Sequence, residues 1–188
     1  LIYNGVDETY FLPKPVERNS TRQELGLSEE DYVVLHVARL DPMKAHDWVI
    51  STAKLCPDIK FIFIGLGTNH LDVPKNVINL GVKKDLVPFY NASDCLVSWS
   101  YYGEGFPNVI AEAMACGLPV IANNVGDSWY LLGNTGLKSV AQTPDEFAND
   151  ILLASAKNLA GFDKNKIIRR VVDNFSARVM VKQYEALY

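Results

Sequence analysis

Two short runs, Tyr32-Val33-Val34-Leu35-His36-Val37-Ala38 and Lys60-Phe61-Ile62-Phe63-Ile64, are rich in β-branched and aromatic residues and apolar along nearly their whole length. A strand with one face in water alternates apolar and polar residues, so a continuous run belongs to a strand covered on both faces. Between them, His46 to Leu55 carries Trp48, Val49, Thr52 and Ala53 at helical spacing. Strand, helix, strand in that order calls for parallel strands joined by a right-handed crossover. The rhythm continues, with strands predicted at Val77 to Leu80, Asp94 to Trp99, Leu118 to Asn123 and Leu137 to Val140. Terminal helices are predicted at Pro144 to Leu159, Lys164 to Asp173 and Ala177 to Tyr188. The fold class expected is α/β: a doubly wound, Rossmann-like parallel sheet. A chain of 188 residues, 48% hydrophobic, can bury roughly 70% of its unfolded surface in a single domain spanning 1–188. Residues 1–15, with turns at Asn4-Gly5-Val6-Asp7 and Phe11-Leu12-Pro13, read as a linker leading into it.

Charge narrows the partners. A net charge of -4 and a pI near 5.4 argue against a general nucleic-acid binder or a polybasic membrane surface, leaving a small ligand as the expected partner. The three cysteines, Cys56, Cys95 and Cys116, lack metal-ligand spacing and sit among apolar residues, as reduced thiols of a cytoplasmic protein do. No apolar run approaches the ~18 residues a membrane span needs. The chain opens on Leu1 rather than Met, so it is expected to be a piece of something longer.

Four features could carry chemistry. Arg39 and Lys44 leave the carboxyl end of the first strand around a proline turn, where ligands of open α/β sheets bind. Arg offers a planar fork and Lys a point charge, so the two could clamp one diphosphate; equally, they could belong to a solvated loop with an Asp41 salt bridge. Glu104 precedes, and Glu112 lies within, a small-residue helix that follows the Asp94–Trp99 strand and stops at Gly117. A helix start offers free N–H groups and a positive dipole end to phosphate. Two carboxylates beside it suit the ribose and hexose hydroxyls of a nucleotide sugar; the plainer alternative is a dipole partner and an exposed helix face. Pro107 would take the first helical position. A lone acid among Val, Ile, Ala and Met should have a hydrogen-bond partner. Gly65-Leu66-Gly67 lacks the third glycine of a dinucleotide fingerprint and reads more simply as a β-to-α turn. His36 reads as a satisfied core residue, His46 as a helix-start residue and His70 as a loop residue; none is assigned a proton-transfer role.

In series, these pieces resemble the carboxyl-terminal, donor-binding half of GT-B retaining glycosyltransferases of the group 1 (family 4) type. The resemblance runs from Ile2-Tyr3-Asn4-Gly5-Val6-Asp7 through Val37-Ala38-Arg39-Leu40 and Lys44, Phe63-Ile64-Gly65-Leu66-Gly67, Leu80-Gly81-Val82 and Tyr90-Asn91-Ala92-Ser93-Asp94 to Glu104–Cys116 and Gly117-Leu118-Pro119-Val120-Ile121-Ala122. It implies that Arg39 and Lys44 bind the donor diphosphate, Glu112 the ribose and Glu104 the transferred sugar. Backbone around Gly105, Phe106, Asn108 and Val109 would face sugar and phosphates, Gly65 and Gly67 would line the pocket, and Val82 would lie beside the base. It further implies a metal-independent reaction without cofactor, a nucleotide-sugar donor, and a role in polysaccharide or glycolipid synthesis. The acceptor would be bound by an amino-terminal domain that this chain lacks. Residues 164–188 would reach towards that half, through which alone any membrane association would come. Ala45, Asp127 and Tyr130 depart from the family's usual Gly, Gly and Glu and leave the donor's identity open. A GT-B nucleotide-sugar epimerase, a phosphorylase and a non-catalytic nucleotide-binding module remain alternatives.

Overall fold

The computed structural model describes residues 2–156 and 162–188. Six strands, β1 (Val33–Val37), β2 (Lys60–Ile64), β3 (Val77–Asn79), β4 (Cys95–Ser98), β5 (Val120–Ala122) and β6 (Leu137–Lys138), form one sheet in the order β3-β2-β1-β4-β5-β6. Every pairing is parallel, with Val34 opposite both Phe61 and Cys95, and Leu96 opposite Val120. The order runs outward from β1 in one direction and then from β4 in the other, so the crevice between the carboxyl ends of β1 and β4 is a topological switch point.

Among the described residues eight helices flank the sheet: α1 (Pro15–Glu24), α2 (His46–Leu55), α3 (Val87–Ala92), α4 (Asn108–Ala115), α5 (Ser128–Leu132), α6 (Pro144–Ala156), α7 (Lys164–Phe175) and α8 (Ala177–Glu185). Side chains alternate across β1 as the pleat requires. Val33 and Leu35 join Ile110 and Met114 of α4 and Val171 of α7 on one face. Val34 joins Val49 of α2 and Phe147 of α6 on the other. Phe61, Phe63 and Phe147 are wholly buried, and each such side chain contributes about 1.5–3 kcal/mol relative to exposure.

The amino-terminal edge of the sheet is held by charge. The Asp94 carboxylate, just ahead of β4, accepts the Val33 N–H at 2.7 Å, Arg18 of α1 at 2.6 Å and Arg22 at 3.4 Å. Arg22 is only 4% exposed and also donates to the Ala92 carbonyl at 2.8 Å. This attachment, rather than an apolar stripe, docks α1.

Strand positions follow the sequence reading closely, whereas α1, α3 and α5 were not foreseen. The helix predicted to Leu159 is described to Ala156, and residues 157–159 lie outside the described residues. Residues 1–15 are not a plain linker. Val6 is buried; its N–H donates to the Phe175 carbonyl at 2.8 Å and its carbonyl accepts from Ala177 at 2.7 Å, tying the leading segment to the α7–α8 junction.

Candidate functional site

After β1 the chain leaves the sheet through Ala38 and Arg39, and Asp41 caps a short 3-10 turn over Pro42–Lys44 by accepting the Met43 N–H at 3.1 Å. Ala45 then sits at φ 44°, left-handed backbone that costs an L-residue about 1–2 kcal/mol, before α2 begins. This is the position at which the resemblance led one to expect glycine. The turn brings Lys44 back over the carboxyl end of β1. After β4 the loop Trp99–Pro107 crosses the same edge and hands the chain to α4.

Between these segments lies a cleft of about 370 Å³ lined by Arg39, Lys44, Gly65, Glu104, Phe106, Asn108 and Val109, with Val37, Ala38, Ile64 and Pro107. Residues taken from three separate stretches of sequence thus share one rim. Pro107 is the residue before the helix, at φ -75° and ψ 96°, not its first turn as expected. No donor is therefore lost from the helix itself. Among the described residues the N–H groups of Asn108 and Val109 find no acceptor, so the positive end of α4 opens on the cleft.

Both cations carry an internal counter-ion. Lys44 Nζ contacts Glu104 Oε1, with side chains 21% and 10% exposed, and the Ser100 hydroxyl donates to the same carboxylate oxygen. Arg39, 61% exposed, forks onto Asp41 Oδ2 through Nε at 3.1 Å and a terminal nitrogen at 3.0 Å. The Met43 N–H and the Arg39 fork hold the Asp41 carboxyl below its ordinary value. Of the two readings of this loop, the Asp41 salt bridge is present, and the cleft lies beside it.

Glu112 does not line this cleft. It lies one helical turn deeper and lines an adjoining one of about 440 Å³, which shares Phe106 and Asn108 and is bounded by Asn4, Phe11 and Met180. Its carboxylate accepts a 2.7 Å hydrogen bond from Tyr90, the partner that its setting required. Burial pushes the Glu112 carboxyl above its ordinary value, partly offset by that hydrogen bond, so it is not the exposed helix face of the plainer alternative. Gly67, Gly105 and Val82 are also not among the cleft-lining residues. The Gly65-Leu66-Gly67 turn leads into a 3-10 turn at Thr68–His70, not an α-helix, so it has no dinucleotide geometry. A Cβ on Gly65 would stand 1.8 Å from the Ala38 carbonyl oxygen; the glycine is there for backbone approach. Gly105 accepts the Asp127 N–H at 3.0 Å through its carbonyl, and Val82, 60% exposed, follows the Gly81 carbonyl that accepts the Gly65 N–H.

Ser100 and Tyr90 were not singled out from sequence. Tyr90 acts through a partner 22 residues along the chain, and Ser100, only four residues before Glu104, reaches it across the loop that follows β4. His36 and His46 are both buried with ring centroids 4.9 Å apart. His36 Nδ1 meets the Val97 carbonyl at 3.2 Å, while its Nε2 has no hydrogen-bond partner among the described residues. Burial, then the neighbouring His46, pushes His36 down to about 3. The three cysteines are free and buried, and desolvation raises the thiols of Cys95 and Cys116 to about 12. Among the described residues no helix is long and apolar enough to cross a membrane.

A parallel sheet in this order, with cations and a helix start converging at its switch point, defines a doubly wound α/β domain of the kind that binds ligands at that crevice. The chain belongs to the group 1 glycosyl transferases, whose family model matches residues 31–156. It is 34% identical over 142 residues to the D-inositol 3-phosphate glycosyltransferase of Mycobacterium sp. (strain KMS), an alignment covering 67% of this chain and 32% of that protein. It is 26% identical over 202 residues to the N-acetyl-alpha-D-glucosaminyl L-malate synthase of Bacillus anthracis, covering 100% of this chain and 52% of the relative. Among solved structures, Anabaena HepE in complex with UDP-glucose superposes with a TM-score of 0.86 at 27% identity, covering 99% of this chain and 56% of that one. This chain therefore spans about a third to a half of the length of the curated relatives it matches. Superposition on these structures establishes the GT-B half-fold.

Proposed function

We propose that this chain is the donor-binding half of a retaining glycosyltransferase, which moves a sugar from a nucleoside diphosphate sugar to an acceptor held by another part of a longer protein. The observation that carries the reading is the single cleft at the β1/β4 switch point, where Arg39, Lys44, Glu104 and the free N–H groups of Asn108 and Val109 meet. The diphosphate would lie against Lys44, Arg39 and the start of α4, whose charges stabilise it as it leaves and the sugar becomes oxocarbenium-like. In this proposal no metal is needed, because cations and backbone dipoles neutralise the phosphates. Glu104, released from Lys44, would accept from the sugar's hydroxyls, and Glu112, at the deeper turn of α4, from the ribose. Val82, with Gly65 and Gly67 on the β2 side, would border the base. Alone, the chain would bind donor without turnover. The exposed Val181 and Tyr184 of α8, with Leu187 just beyond its end, would be covered by the amino-terminal half.

The HepE complex makes UDP and UDP-glucose the first probes. Lys44→Ala should weaken UDP by roughly 1.5–3 kcal/mol, the scale of one charge-assisted contact, and Arg39→Ala by a similar amount. Calorimetry in which wild type binds UDP and both variants bind it equally well would reject the assignment.

A further inference from the structure

All three tryptophans of the chain, Trp48, Trp99 and Trp129, line a third cleft of about 420 Å³ on the same rim, formed where the chain leaves β4, β5 and β6. Trp48 and Trp99 stack with centroids 5.2 Å apart and planes 14° apart, and Tyr101 stands edge-on to Trp48. Trp129 is fixed by its indole N–H, which donates to the Ala122 carbonyl at 3.0 Å. Asn124 and Gln142, both exposed, also line the cleft, the Gln142 side-chain amide donating to the Val140 carbonyl at 3.0 Å. Among the described residues, none lining the cleft is charged.

The lining restricts the ligand. The nearest charges stand behind the lining and are engaged there, Lys138 over the Trp129 ring at 5.8 Å, Asp47 accepting from the Tyr101 hydroxyl at 2.9 Å and Asp150 from Ser139, so the lining favours a neutral ligand over an ion. Aromatic surface, supplied by the exposed Tyr101 and the half-buried Trp48 and Trp129 because Trp99 is only 4% exposed, suits a ligand with an apolar face, while amides both donate and accept, as a polyol needs. A ring that is apolar on its faces and hydroxylated at its edge meets both demands. The volume falls within the ~300–1,000 Å³ usual for small-molecule sites. We propose that this aromatic-amide cleft is a second binding site, for a neutral saccharide ring, distinct from the Arg39–Lys44 cleft. Ser100 connects the two: it lines this cleft while its hydroxyl donates to Glu104 in the other. Asn123 fixes that residue by accepting the Ser100 N–H at 3.3 Å and donating to the Ser100 carbonyl at 2.7 Å. The saccharide would thus sit beside the carboxylate proposed to meet the donor sugar, and the site itself does not depend on that proposal.

Because every tryptophan lies in the cleft, intrinsic fluorescence reads it directly. Titrating the 188-residue chain with methyl glucoside, methyl mannoside, maltotriose and mannotriose should give a saturable emission shift with at least one of them, at a Kd of about 1 mM, the range of a single stacked ring. The shift should persist in saturating UDP. Asn124→Ala with Gln142→Ala should weaken it about tenfold, with UDP affinity and melting temperature unchanged. Calorimetry on the same variants gives a readout free of the indole signal. Tighter binding of a trisaccharide than of its methyl glycoside would assign the cleft to an extended glycan, and equal binding to a single ring. Absence of a saturable shift throughout, a sugar signal abolished by UDP, or an unchanged response in the double variant would each overturn the proposal, as would uridine saturating the signal where sugars do not.

Discussion

Exchanging Glu104 for Gln tests the coupling between the two charges at the heart of the cleft. Lys44 is already engaged: Glu104 contacts it with both side chains mostly buried, and Ser100 supports the same oxygen. A diphosphate recruiting Lys44 must weaken that pair. At an effective dielectric near 20 the bare attraction at ~4 Å is about 4 kcal/mol, but desolvation opposes it, and the net contribution of a hydrogen bond to a charged group is about 1.5–3 kcal/mol. Removing the charge on the acceptor leaves a neutral hydrogen bond of roughly half the strength, releasing about 1 kcal/mol for a new anion. UDP should therefore bind Glu104→Gln no more weakly than wild type, and about fivefold more tightly if the release is complete. UDP-glucose should move the other way, because the amide is a poorer acceptor for a sugar hydroxyl. The preference for UDP-glucose over UDP should fall about tenfold. Paired calorimetric titrations read both numbers. If UDP weakens as much as UDP-glucose, Glu104 is a structural partner of Lys44 and not a sugar contact.

Three further outcomes follow from geometry away from the ion pair. Asp94→Ala should cost about 3–5 kcal/mol in urea unfolding, because it strips the partner of the buried Arg22; a loss below ~1 kcal/mol would refute its part in docking α1. Gly65→Ala should abolish folding or lower stability by several kcal/mol, since its methyl would overlap the Ala38 carbonyl at 1.8 Å; soluble, native-like circular dichroism with an unshifted melting point would be incompatible with that approach. Acid should destabilise the fold through His36. Its folded value is about 3 against 6.5 ordinarily, so between those limits the unfolded chain binds the proton and the folded one does not. Stability is then full above about 6.5 and falls as pH drops towards 3, and His36→Phe should flatten that slope in denaturant titrations at stepped pH.

The six strands were legible because a strand buried on both faces advertises itself as an unbroken apolar run, and all but the shortest strands here meet that description. The unseen helices lack an equivalent sign. Helix α1 is polar along most of its length and is held by Arg18 and Arg22, whose partner Asp94 lies more than 70 residues on. Helices α3 and α5 span six and five residues, too few for a periodicity to be counted. At the cleft, Arg39, Lys44 and Glu104 could be proposed from residue type and from their places after strands. The Asp41 salt bridge could be named as one reading of its loop, but the Lys44–Glu104 pair could not, because its partners lie 60 residues apart and meet only once both loops cross the same edge of the sheet. Glu112 was foreseen to need a partner, and Tyr90 became visible only when α3 and α4 were laid side by side.

The ionic cluster around Asp94 and the residues of the cleft stand at opposite ends of the same strands. Cohesion is thus concentrated at one extremity and ligand chemistry at the other, with a hydrophobic slab between them. Changes at exposed cleft positions such as Arg39 leave that ionic anchor untouched, so such a scaffold can alter its ligand preference there at little cost to its melting behaviour.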